Sequence, residues 1–160
     1  MNEFYGAVLL VLWAIACAIQ DARSRRISNW LSLGMLAVAG IWLGLHSTSL
    51  TAAPSPVALI GLALGVALAL PGYILGRMGA ADVKLLASLG LASSPMHVLL
   101  TVAFAALAMV FWTLSGRHMW PLLGDWLRRQ LRQMDPADRQ AQPYAPFFLT
   151  GLLFSIALTG

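Results

Sequence analysis

Two aspartates, Asp21 and Asp82, are the candidate reactive residues of this 160-residue chain, which has only six acidic residues in all. Asp21 ends one long apolar segment, and Asp82 begins another. An ionisable side chain beside hydrocarbon is costly, so a functional role is the first hypothesis for each. Two carboxyl groups held close together tend to share a proton, so that one acts as a base toward water and the other as an acid toward a carbonyl. Aspartyl peptide hydrolysis requires that pair of roles.

The alternative interpretation is that each aspartate only pairs with neighbouring cations. Asp21 is followed by Arg23 and Arg25, and Asp82 is followed by Lys84. Spacing alone favours neither interpretation. The other acidic residues are weaker candidates, because they lie near the N-terminus or in a polar connector: Glu3, Asp125, Asp135 and Asp138.

Composition places these residues in an integral membrane protein, since 59% of the chain is hydrophobic and only 10% is charged. The mean hydropathy is +0.78, far above that of an ordinary soluble domain. Membrane spans of about 20 residues use most of the length, which predicts a single domain over residues 1–160. The net charge of +4 comes from cations clustered in connectors, which is not the pattern of a nucleic-acid-binding face.

Six apolar segments predict an all-α, polytopic fold with six transmembrane helices. The first contains no basic n-region, so we expect a mature helix rather than a signal peptide. The fourth is short for a span and needs an independent argument. The segments cover residues 4–20, 30–45, 57–76, 83–94, 97–115 and 146–159.

Charge distribution supplies that argument. The basic residues follow the first, third and fifth segments, so all ten lie on one side only if the fourth segment crosses. This favours a topology in which both chain termini are outside and the basic connectors are in the cytoplasm. Asp21 and Asp82 then lie at the same cytoplasmic boundary and can meet.

The connector at residues 116–145 predicts a cytoplasmic amphipathic helix between the fifth and sixth spans, anchored on membrane lipid. Its apolar residues recur at helical spacing opposite three arginines. The apolar set is Trp120, Leu123, Leu127, Leu131 and Met134, and the arginines are Arg128, Arg129 and Arg132.

Three segments resemble the type IV prepilin peptidases, which are intramembrane aspartyl proteases. GAADVKLLASLG is similar to their GxGDxKL signature, and DARSRRISN is similar to their first-aspartate segment, D-x-R-x-x-x-I-P-N. PYAPFFLTG resembles the proline-rich start of their last helix. The three matches occur in the family's order and together cover nearly the whole chain.

The resemblance implies that Asp21 and Asp82 are the catalytic pair. Lys84, Arg23 and Asn29 match signature positions and would position or tune the aspartates, while Gly79 would let a substrate backbone approach. The implied substrate is the short leader of a prepilin, cut before its apolar helix at the cytoplasmic face of the bacterial inner membrane. No metal or other cofactor is implied.

Two departures and one omission refine the resemblance. Ala81 replaces the second glycine of the signature, and Ser28 replaces the proline after Ile27, which we expect to loosen that connector. The connector between the first two spans is short and lacks cysteine, since Cys17 is the only one in the chain. This favours a small, peptidase-only branch similar to enzymes that serve Flp or Tad pili, without methyltransferase activity.

Two rival functions stay open. A proton- or cation-coupled transporter subunit would need acids deeper in the spans and internal symmetry, and neither is evident. A noncatalytic pilus assembly protein could bind pilin helices through small residues such as Gly61, Gly65 and Ala69. That spacing fits packing within the chain or between copies, so the oligomeric state is open. The predicted topology separates the histidines, which argues against a shared metal site.

Overall fold

A computed structural model of the chain describes residues 3–135 and 142–159, and over these residues the fold is all-α, with helices and no strands, as predicted. Six helices cover the six apolar segments, and a seventh, short helix lies in the connector before the last of them. The helices are α1 (Glu3–Ser24), α2 (Asn29–His46), α3 (Ser55–Ile74), α4 (Ala80–Ala92), α5 (Pro95–Met119), α6 (Asp125–Gln130) and α7 (Ala145–Thr159).

Four of these helices, α1, α2, α3 and α5, are long and apolar enough to cross a membrane. Helix α4 has 13 residues and α7 has 15. At 1.5 Å per residue, α4 spans about 20 Å, against the roughly 30 Å of a bilayer core. Length and composition therefore support four spans, and the predicted six crossings and their sidedness stay predictions.

Consecutive long helices run in opposite directions. In the pair α3 and α4, Gly61 lies against Gly90 and Gly65 against Leu86, so the helices are antiparallel. The pairs α1–α2, α1–α7 and α5–α7 are antiparallel as well, and α2 runs parallel to α4. One end of the bundle therefore holds the end of α1 and the starts of α2, α4 and α7.

Helix α4 is the centre of the bundle. Every residue from 85 to 93 is buried, and α4 packs on α2, α3 and α5. Ser88 Oγ donates to the Ser32 carbonyl at 3.1 Å, which satisfies a polar group within this core. A helix that is apolar all round is stable when other helices surround it. This position accounts for the short fourth segment of the sequence.

Glycines allow α4 to approach α3 so closely. A Cβ added at Gly61 would lie 2.5 Å from the Gly90 carbonyl oxygen, and one added at Gly65 would overlap the backbone of Leu86. Gly61 and Gly65 on α3 therefore pack against α4 of the same chain.

The connector after α5 corrects one prediction, because the amphipathic helix is not continuous. Two 3-10 turns, Trp120–Leu122 and Arg132–Met134, flank the six-residue α6. Pro121 lacks a backbone N–H, and Gly124 has an extended backbone with ψ 153°, so the helical hydrogen-bond ladder is interrupted there. Of the predicted acids and arginines of this connector, Asp138 and Arg139 lie outside the described residues.

The connector between α1 and α2 corrects another expectation. Ser28 caps α2 instead of loosening the turn, since its Oγ accepts a hydrogen bond from the Leu31 N–H at 3.3 Å. Its own N–H donates to Gln20 Oε1 at 2.7 Å, a bond that proline could not form. The substitution thus ties the start of α2 to the last turns of α1.

Candidate active site

Asp21 lies in the last turns of α1 and is 7% exposed. Its Oδ2 accepts a hydrogen bond from the Ala145 N–H at 2.9 Å, and the backbone of Tyr144 also lies against this carboxylate. Ala145 is the first residue of α7, whose leading N–H groups have no partner inside the helix. The Asp21 carboxylate therefore caps α7 and joins the first and last helices of the bundle.

Asp82 lies in the first turn of α4 and is held by Gly79. The Asp82 N–H donates to the Gly79 carbonyl at 3.0 Å, and the Gly79 N–H donates to Asp82 Oδ2 at 3.0 Å. Gly76, with φ +67°, turns the chain just before this segment and needs the freedom of glycine to do so. A carboxylate at a helix N-terminus also interacts favourably with the helix dipole.

Both carboxyl groups line one cavity of about 500 Å³ at the end of the bundle where α1, α2, α4 and α7 meet. Asp82 precedes the apolar part of α4 and lies outside the four candidate spans. Burial raises the pKa of Asp82 to about 6, the hydrogen bond from Gly79 opposes the rise, and the negative charge of Asp21 adds to it. The two aspartates, far apart in sequence, thus form one electrostatically coupled pair.

The cation that acts on Asp21 is one of those that the sequence suggested, whereas Lys84 contacts a different residue from the one suggested. Lys84 Nζ donates to Asn29 Oδ1 at 2.7 Å, and among the described residues it forms no ion pair with Asp82. The cation whose charge acts on Asp21 is Arg25, whose guanidinium also donates to the Gln133 carbonyl at 3.2 Å. Among the described residues, Asp82 therefore lacks the expected ion pair with Lys84, and Arg25 is the cation whose charge acts on Asp21.

The predicted supporting residues fall into two groups. Lys84, Asn29 and Gly79 line the cavity with the aspartates, whereas Arg23 is exposed and lines another one. The sequence assigned no role to Tyr144, which is half-buried and also lines the aspartate cavity. Burial and the charge of Asp82 raise the pKa of its phenol. Its position within the proline-rich PYAP segment is the signal that could have identified it.

An apolar groove of about 340 Å³ is lined by residues of the same helices, α1 and α7, that contribute to the aspartate site. Helices α1, α6 and α7 form it, together with Leu131. It begins beside the hydrogen bond between Asp21 and Ala145, because the next residue of each helix, Ala22 and Pro146, lines it. The cavity that holds Asp21 and this apolar groove are thus lined by residues adjacent in the chain.

Comparison with known proteins agrees with this architecture. The type IV leader peptidase family matches residues 8–114, which is more than half of the chain and includes both aspartates. No curated protein and no solved structure matches it. The family is one of intramembrane aspartyl-type proteases, whose chemistry needs a pair of carboxyl groups such as the one in this cavity. The chain is a member of the type IV leader peptidase family.

Proposed function

We propose that this protein is an aspartyl endopeptidase that removes the short cytoplasmic leader of a prepilin, with Asp21 and Asp82 as its catalytic residues. The observation that carries the proposal is the meeting of both carboxyl groups in one cavity. Membership of the leader peptidase family supports the same class of reaction.

The surroundings of the two aspartates give them different roles. Asp21, whose carboxylate accepts a hydrogen bond from the Ala145 N–H, removes a proton from the attacking water. Asp82, whose raised pKa favours the protonated form, donates its proton to the carbonyl oxygen. The C–N bond of the tetrahedral intermediate then breaks: its nitrogen takes up the proton held by Asp21, and one hydroxyl of the intermediate returns a proton to Asp82. The pair shares one proton and titrates as a unit.

The apolar groove suits the second part of such a substrate. A prepilin joins a polar leader to an apolar helix, and here Asp21 lines a polar cavity while the next residue, Ala22, lines an apolar groove. In this arrangement the leader occupies the cavity, the apolar helix lies along α1 and α7, and the scissile bond falls between them. Arg23 and Trp126, which also line the groove, place it near the membrane surface in this proposal.

The orientation that we propose has six crossings, with the start of α1 and the end of α7 on the outer side. Alternating helix directions put the basic connectors at the same end as the aspartates, as the positive-inside rule requires of a cytoplasmic face. The central position of α4 among longer helices, with local thinning of the bilayer, lets a 13-residue helix cross. The bacterial inner membrane fits this arrangement.

The size of the connectors favours a Flp- or Tad-like prepilin as substrate. Only residues 25–28 separate α1 from α2, which leaves no room there for the cysteine-bearing cytoplasmic domain of the larger enzymes. This branch assignment rests on the resemblance and on that short connector.

The test is to co-express the chain with a candidate prepilin and to follow leader removal by wild type, Asp21→Asn and Asp82→Asn. Asparagine keeps an oxygen that can accept each hydrogen bond, from Ala145 or from Gly79, so the fold is retained. We expect both variants to accumulate in the membrane and to leave the leader uncut. Leader removal by either variant would contradict the two-aspartate mechanism. Loss of leader removal in both variants would exclude the alternative that the protein only binds pilins.

A further inference from the structure

Tyr144 is held in place by the backbone at the start of α7. Its carbonyl accepts hydrogen bonds from the N–H groups of Phe147 and Phe148, each at 3.0 Å. The next N–H along the chain, that of Ala145, donates to Asp21. Tyr144 is therefore fixed relative to a catalytic carboxylate of the proposed function.

The side chain of Tyr144 combines a packed ring with an unused hydroxyl. The ring lies against Phe148, with a centroid distance of 6.3 Å, and the residue lines the cavity that contains Asp21 and Asp82. Within residues 3–135 and 142–159, the hydroxyl forms no hydrogen bond, although phenol groups at buried positions usually find a partner. A donor is thus available inside the cavity.

The protonation state of this hydroxyl suits a donor. Burial and the nearby charge of Asp82 raise the pKa of the phenol, so it stays neutral throughout the pH range in which the aspartates titrate. A neutral O–H that is already in position can stabilise negative charge that develops on a neighbouring oxygen.

Peptide hydrolysis creates such a charge. Negative charge develops on the carbonyl oxygen of the scissile bond as water adds, before the proton of Asp82 is fully transferred to that oxygen. Donors fixed before the reaction stabilise an oxyanion without reorganising.

We propose that Tyr144 is a third catalytic residue, whose hydroxyl donates a hydrogen bond to the carbonyl oxygen of the scissile peptide bond as negative charge develops on that oxygen. The inference rests on the proposed function. The phenol proton stays on Tyr144 throughout, and no bond to this side chain forms or breaks.

The variant Tyr144→Phe removes only the hydroxyl and keeps the ring that packs on Phe148. Tyr73→Phe is the matched control, because Tyr73 is exposed on α3 and outside the cavity lining. For purified protein and a prepilin, we expect Tyr144→Phe to lower kcat by about 10- to 100-fold, at an unchanged Tm and a KM within about twofold. A peptide with a hydroxyethylene group in place of the scissile bond should bind more weakly by a similar factor. Tyr73→Phe should match wild type.

A kcat for Tyr144→Phe within about twofold of wild type would overturn this role, and so would a change confined to KM. A wild-type protein that cleaves no prepilin would instead overturn the proposed function, and this role with it. The two failures are therefore distinguishable.

Discussion

The contact between α3 and α4 predicts that a single added methyl group impairs the active site from a distance. In Gly61→Ala, the new Cβ would lie 2.5 Å from the Gly90 carbonyl oxygen, whereas ordinary contacts begin at 3.4 Å. The obstacle is backbone, which cannot rotate away as a side chain would. The two helices must therefore move apart by roughly 1 Å, which is a typical consequence of overpacking.

That movement matters because α4 carries Asp82 at its first turn, while Asp21 is fixed to α7. A misplacement of about 1 Å in a catalytic group costs on the order of 100-fold in rate. Overpacking also lowers the free energy of unfolding by about 1–3 kcal/mol. We expect Gly61→Ala to show both effects.

The assay compares kcat/KM for prepilin cleavage and thermal stability in Gly61→Ala and Gly34→Ala. A Cβ at Gly34 on α2 meets nothing within 4 Å, and alanine is a better helix former than glycine by about 1 kcal/mol. The control should therefore match or exceed wild-type stability. If Gly61→Ala cleaves as well as Gly34→Ala, the close approach of α3 and α4 does not position Asp82, and this reasoning is wrong.

Three further predictions concern the site itself. The pKa of Asp82 is raised to about 6, and its protonated form is the proposed acid. We therefore expect kcat/KM to fall about tenfold per pH unit above about pH 6. A flat profile between about pH 6 and 8 would refute the role of Asp82 as the acid. Ile19→Trp, which fills the apolar groove, should slow cleavage of intact prepilin about tenfold. Cleavage of a short peptide that lacks the apolar helix should be unchanged. Ile41→Trp, at an exposed position on α2, is the control. A double-mutant cycle of Lys84→Met and Asn29→Ala should give a coupling of about 1 kcal/mol in the free energy of unfolding, and additive effects would argue against their hydrogen bond.

The pH prediction also has a stability counterpart. A carboxyl group whose pKa is raised in the folded state favours folding when it is protonated, so the stability contributed by Asp82 is present below pH 3.8 and is lost as the pH rises through about 6. Thermal unfolding of wild type should show this loss across that window. Asp82→Asn cannot ionise, so its stability should lack this pH-dependent loss. An identical pH dependence of thermal stability in wild type and Asp82→Asn would contradict the raised pKa of Asp82.

The parts of the fold that the sequence predicts are those set by local hydrophobicity. Long apolar segments are costly to leave in water, so the helices could be located to within a few residues, and an acid beside hydrocarbon pointed to Asp21 and Asp82. The prediction that the two aspartates meet followed from the positions of the basic residues, since Lys and Arg mark the cytoplasmic side of a membrane. The GxGDxKL-like segment then gave the family.

The sequence predicted less well the features that depend on contacts between helices or on helix-breaking residues. The Ala145 N–H that binds Asp21 is a backbone group, and any residue except proline would supply it. Amphipathic spacing predicted one helix after α5, but Pro121 and Gly124 interrupted it.

The most direct test of the central claim is the cleavage rate of purified Asp21→Asn, Asp82→Asn and the double variant on one prepilin substrate. Two residues that share a proton act as a unit, so we expect each single variant to lose all measurable cleavage and the double variant to be no worse. The product of the wild-type reaction should begin at the first residue of the apolar helix, as read by mass spectrometry. A single variant that retains more than about a tenth of the wild-type rate would contradict a catalytic pair formed by Asp21 and Asp82.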